Sequence, residues 1–195
     1  MWHQTCLIVA MRTLILTLIA AGALSAPAQA QDWSLVLNGK SVHVNSSKDW
    51  NEQNWGLGLE REFDAEARWV KVAVVNGFRD SQDEMSYMAG GGIKRRFRLD
   101  SLTEGFFVDV GIVGFLMTRQ DVRNNEPFPG ILPALTVGTR QVALNVTYLS
   151  QHMMDSATNV TRVDATVSGL VFIQLKLDPG LLGLPFGSRR PAGSR

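Results

Sequence analysis

From Trp33 onward the chain repeats short stretches in which apolar and polar residues alternate, the period of a half-buried strand. Trp55, Leu57, Leu59 and Phe63 alternate with Gly56, Gly58, Glu60 and Glu62. Residues 33–37 and 40–44 flank Asn38-Gly39, a pair that tolerates the positive φ of a tight hairpin turn. Further strands are predicted over 67–78, 85–97, 106–117, 131–138, 142–149 and 167–177. With 40–44 taken as part of the first strand, the count is eight, each about long enough to cross an outer membrane when tilted. The connections run 45–54, 64–66, 79–84, 98–105, 118–130, 139–141 and 150–166. Long and short broadly alternate, with only the middle pair lacking the contrast, as expected of a barrel with long loops outside and short periplasmic turns. The expected fold is all-β, an eight-stranded antiparallel transmembrane β-barrel over residues 31–178.

Alternation alone also fits a soluble sandwich or a lipocalin-like barrel. Residues 106–117, however, are apolar on both faces, and 70–75 nearly so, broken by Lys71. Such strands suit either a buried core or a membrane barrel whose interior receives a hydrocarbon, and the loop pattern favours the barrel.

The first thirty residues follow different rules. Met11-Arg12 supplies a positive start, Leu14 to Leu24 an apolar run too short to span a bilayer, and Ala28-Gln29-Ala30 a small-residue cleavage site. Residues 1–30 therefore read as a secretory signal peptide, with Met11 a possible start of translation. Removing them takes away Arg12 and no acid, leaving 18 cations against 18 anions, so a nucleic-acid partner is not expected. Cys6 leaves with the signal, so disulfide and thiol chemistry go with it. Residues 179–195, rich in Gly, Pro and Arg, read as a disordered tail.

Candidate chemistry is sparse. After the signal there are two histidines, His43 and His152, and neither a metal-ligand cluster, a nucleophile elbow nor a P-loop. Neither a metal nor a cofactor is expected. Lys94-Arg95-Arg96 with Arg98 reads as an interfacial anchor more than as a polyanion site. The topology offers more: His43 at the end of strand one and Asp80-Ser81 at the end of strand three reach the same rim, the one with the long loops. There an imidazole could take a proton from a hydroxyl while a carboxylate orients the ring. The same residues also suit ordinary loop roles.

Ordered blocks over much of residues 42–149 resemble the lipid A palmitoyltransferase family, PagP. They are Asn51-Glu52-Gln53-Asn54-Trp55-Gly56-Leu57-Gly58-Leu59, Phe78-Arg79-Asp80-Ser81, the proline-rich lead into strand six from Glu126 to Pro133, and Val142 to Leu149. The resemblance implies a monomeric barrel in the cell outer membrane. It implies transfer of a fatty acyl chain from the sn-1 position of a glycerophospholipid to a lipid A hydroxyl, with neither nucleotide nor metal. It also implies His43 as general base, Ser81 as nucleophile or oxyanion donor, and Asp80 as electrostatic partner. Gly92 matches the glycine that sets acyl length in that family. Seven residues below Met85, at about 3.3 Å each and a tilt near 40°, it lies roughly 18 Å down the strand. Pro127, Pro129 and Pro133 match a gate where missing backbone donors weaken pairing and admit lipid sideways.

Three departures qualify the implication. About twelve residues separate the cleavage site from His43, leaving little room for the family's N-terminal amphipathic helix. Gln82-Asp83-Glu84-Met85 replaces an aromatic-rich stretch, and the chain lacks a terminal aromatic strand residue. A phospholipase on the same barrel and a non-catalytic lipid-binding barrel remain the rival readings.

Overall fold

In a computed structural model, which describes residues 32–152 and 167–184, every alternating segment forms a strand. In chain order these are β1 (Asp32–Val44), β2 (Gln53–Phe63), β3 (Trp69–Arg79), β4 (Met85–Arg98), β5 (Phe107–Thr118), β6 (Phe128–Gly138), β7 (Val142–Ser150) and β8 (Gly169–Leu177). Each pairs antiparallel with the next, and β1 pairs with β8, so the sheet closes into an eight-stranded barrel. The outer face carries an apolar belt that includes Trp55 at 66% exposure and Ile131 at 63%. So much outward apolar surface suits a bilayer rather than water. The predicted signal peptide lies outside the described residues.

Asn38-Gly39 does not turn the chain. Gly39 lacks a positive φ, and the register of β1 shifts between Asn38 and Lys40 against both neighbours, a β-bulge inside a continuous strand. Facing reverses there: Ser34, Val36 and Asn38 are buried before the bulge, Ser41 after it. Odd-numbered residues thus point outward before Gly39 and inward after it, which turns His43 to the lumen.

The lumen has two halves. Below lies a network of buried charges: Lys94 Nζ donates to Glu60 Oε1 (2.9 Å) and Thr136 Oγ1 (3.2 Å), and Lys176 Nζ to Glu60 Oε1 (2.8 Å) and to Glu62. Arg96 forks onto Asp109 (2.8 and 2.7 Å) and reaches Glu62 Oε2 (2.9 Å). The basic run is therefore not one anchor. Strand alternation sends Lys94 and Arg96, 1% and 6% exposed, inside to meet carboxylates. Arg95 goes outside, over the Phe97 ring at 4.9 Å. Charges this deep persist only when paired, and three cations meet three carboxylates here. The expectation that residues 106–117 are apolar on both faces fails at Asp109, which is fully buried on the inner face of β5 among these charges.

Above the charges, a polar layer crosses the barrel. Asn38 and Asn76 exchange side-chain hydrogen bonds (2.6 and 2.9 Å), and Gln174 Nε2 donates to Asn38 Oδ1 (2.6 Å). Within the expected tail, Pro179–Leu182 forms a 3-10 helix capped by Asp178, whose carboxylate accepts from Gly180 N at 2.8 Å. Residues 185–195 lie outside the described residues.

Candidate functional site

A cavity of about 300 Å³ occupies the upper half of the barrel, at the end carrying the 45–52, 80–84 and 119–127 connections. Phe78, Phe172, Leu132 and Leu170 help give it apolar walls, with the Phe78 and Phe172 rings 5.3 Å apart. Met88, Phe115 and Gln174 border it on the side of the Asn38–Asn76 layer. His43, Asp80 and Ser81 all line it, so closure of the barrel brings together the three rim residues singled out in the sequence.

Their local contacts differ from a linear triad. Asp80 is 2% exposed, and its carboxylate accepts from Gln82 N (2.8 Å), Glu84 N (3.2 Å) and Ser86 Oγ (2.8 Å). It therefore builds the turn that presents Ser81. Arg119 Nε lies 3.8 Å from Asp80 Oδ2. The carboxylate beside the His43 ring is that of Glu52, with Oε1 3.8 Å from Nδ1. Trp50 stacks on the same ring, centroids 4.9 Å apart and planes 12° from parallel.

Arg119 also lines the cavity and holds Asp121 through two hydrogen bonds of 2.8 Å. Burial works against charge on both groups, but their mutual hydrogen bonding and attraction prevail. Asp121 is held below the ordinary carboxylate range and Arg119 above its ordinary value. Sequence reading passed over this pair, and over Trp50 and Glu52. The inward parity of Phe115 and Met117, carried two residues beyond Met117 to the position just past β5, points to Arg119.

Gly92 does not line the cavity. A Cβ there meets Val113 at 2.9 Å, so the glycine makes room for the facing strand rather than for a ligand. Met88, four residues nearer the rim on β4, does line it. Pro129 and Pro133 fall in a stretch of β6 with no register partner on β7. The β6–β7 ladder runs only from Leu135–Val146 to Gly138–Ala143, whereas β6 pairs with β5 along its length. Pro127 lies just ahead of β6.

The sequence model of the family described as "Antimicrobial peptide resistance and lipid A acylation protein PagP" matches residues 38–162. The chain belongs to the PagP family. Among similar proteins, the "Lipid A acyltransferase PagP" of Bordetella pertussis (strain CS) is 32% identical over 122 residues, 59% of this chain and 65% of its own length. The protein of the same name from Methylobacillus flagellatus is 33% identical over 101 residues, 51% of this chain and 53% of its own. That from Laribacter hongkongensis is 33% identical over 103 residues, 52% and 47%. The chain thus spans less than two thirds of the length of these relatives. The matched region of this PagP-family barrel takes in the bulge, the rim residues and the proline stretch.

Proposed function

We propose that this PagP-family barrel is an outer-membrane acyltransferase that moves a fatty acyl chain from a glycerophospholipid to lipid A as a monomer. The observation that carries the reading is the convergence of His43, Asp80 and Ser81 on an apolar cavity at the loop end. An acyl chain fits such a wall chemically, and exclusion of water favours transfer over hydrolysis. The gap in β6–β7 pairing at Pro129 and Pro133, with Pro127 just ahead, supports admission of lipid from the side, because a strand without donors pairs weakly there.

The reaction exchanges one ester for another. In the direct route a lipid A hydroxyl attacks the donor carbonyl, while His43 accepts its proton and passes it to the departing lysophospholipid oxygen. In the route through Ser81, the serine hydroxyl attacks first and its proton passes by His43 to the lysophospholipid oxygen; a lipid A hydroxyl then attacks the acyl-serine and its proton returns by His43 to Ser81 Oγ. In the direct route the Ser81 hydroxyl donates to the carbonyl oxygen as it gains negative charge. Asp80 holds the Ser81 turn and keeps negative charge in the site. Met88, Phe115 and Gln174 set the depth available to the acyl chain in place of Gly92.

The test is mass spectrometry after incubating the purified protein with phospholipid and lipid A. Expected products are acylated lipid A and lysophospholipid in equal amount, both lost in Ser81→Ala and His43→Ala barrels that still fold. Lysophospholipid with free fatty acid alone identifies a phospholipase. An unchanged lipid pool removes both enzymatic readings.

A further inference from the structure

Two side chains that meet the His43 ring, Trp50 and Glu52, come from one short segment of the β1–β2 connection. Trp50 stacks on the imidazole and is itself pinned: its Nε1 donates to Ser46 Oγ (2.6 Å), and Lys48 Nζ sits 4.2 Å above its ring. Glu52 Oε1 accepts the His43 backbone N–H at 3.2 Å and lies 3.8 Å from Nδ1. Its backbone is fixed as well, since Ser41 N donates to Glu52 O at 2.9 Å. Between them, Asn51 turns the other way. Asn51 N donates to Ser81 O (3.1 Å) and its Nδ2 to Asp80 O (3.0 Å). One short segment therefore grips both the histidine and the serine turn. The Asp80 carboxylate, by contrast, is taken up by Ser86 Oγ and two backbone N–H groups of its own turn.

We propose that Glu52 is the positioning carboxylate of His43, holding its Nδ1 side so that Nε2 faces the cavity, whereas Asp80 acts on Ser81 through the turn. The inference rests on the reading of His43 as general base. A carboxylate beside Nδ1 favours the tautomer with the proton on that nitrogen and stabilises the imidazolium formed when Nε2 takes a proton. Trp50 fixes the ring plane in which both happen. At 3.8 Å the carboxylate lies within ion-pair reach of Nδ1, close enough to bias the ring's tautomer and charge.

The experiment uses the full folded chain in lipid micelles and compares Glu52→Gln, Glu52→Asp and His43→Ala. Glu52→Gln keeps an oxygen for the His43 N–H and removes only charge. Its kcat is expected to fall about tenfold with KM unchanged, less than for a buried orienting carboxylate because Glu52 is part-exposed, and Glu52→Asp is expected to recover part of the loss. In parallel, the ¹⁵N shifts of the His43 ring are expected to report a proton on Nδ1 in the wild type and mixed tautomers in Glu52→Gln, whether or not turnover is measured. Wild-type kcat in Glu52→Gln, or a ring tautomer that ignores Glu52, overturns the inference while leaving acyl transfer intact. Full activity in His43→Ala overturns both.

Discussion

If Met88, Phe115 and Gln174 close the cavity, chain length should respond at Met88 and not at Gly92. Inward-facing residues on a strand are two apart, about 6.6 Å along it and roughly 5 Å along an axis tilted near 40°. At about 1.25 Å per methylene, from carbon–carbon bonds near 1.5 Å, one such layer corresponds to roughly four carbons. Met88→Gly removes one side chain from the wall and should let the barrel accept chains up to about four carbons longer. Phe115 still fills the space left by Gly90 and Gly130 and stops a deeper extension. Gly92→Ala should behave differently, because its Cβ runs into the Val113 backbone and side chain at 2.9 Å. That variant should lose about 1–3 kcal/mol of stability to overpacking with its acyl profile unchanged. Competition among donors of graded acyl length, read by mass spectrometry of the product, measures the profile, and urea unfolding in micelles measures stability. A profile that shortens in a folded Gly92→Ala barrel, or that ignores Met88→Gly, would refute the assignment of the floor.

Other perturbations separate the site from its scaffold. Asp80→Ala strands a buried hydroxyl and two backbone donors, so it should lose about 1–3 kcal/mol of stability along with activity; Ser81→Ala should lose activity alone, and equal unfolding curves for the two would contradict the turn-building role. Lys176→Met leaves Glu60 and Glu62 short of a cation and should cost about 3–5 kcal/mol, readable as a lower urea midpoint. Asp121 has a folded pKa below its unfolded value. Its contribution is therefore present above about pH 4 and is lost as pH falls through the folded value, which hydrogen exchange of the 119–127 connection should follow. Replacing Pro129 and Pro133 together by valine restores two donors to β6 and should slow transfer several-fold without unfolding the barrel; unchanged turnover would count against a lateral gate.

Much of this protein is legible in its sequence because a strand has a fixed period. Alternation located eight strands to within a few residues, and counting connections sent His43 and Asp80-Ser81 to one rim. The block from Asn51 to Leu59 and the proline-rich stretch from Glu126 to Pro133 pointed to the family.

Parity along a strand is a local rule, however, and one inserted residue resets it. Nothing in Trp33, Leu35 and Leu37 announces that Gly39 is a bulge, so the inward turn of His43 emerges only from pairing with β2 and β8 together. The same limit hid the lower lumen. Lys94 and Arg96 read as surface charge until closure set Glu60, Glu62 and Asp109 opposite them, from strands up to 34 residues away. The cavity floor and the partner of His43 depend on contacts across the barrel and on a loop that folds back over its own strand. Sequence alone determined the strands, the rim and the family, since these follow from period and order. Facing, charge pairing and depth were decided only when the sheet closed, because each is a relation between residues that the chain order keeps apart.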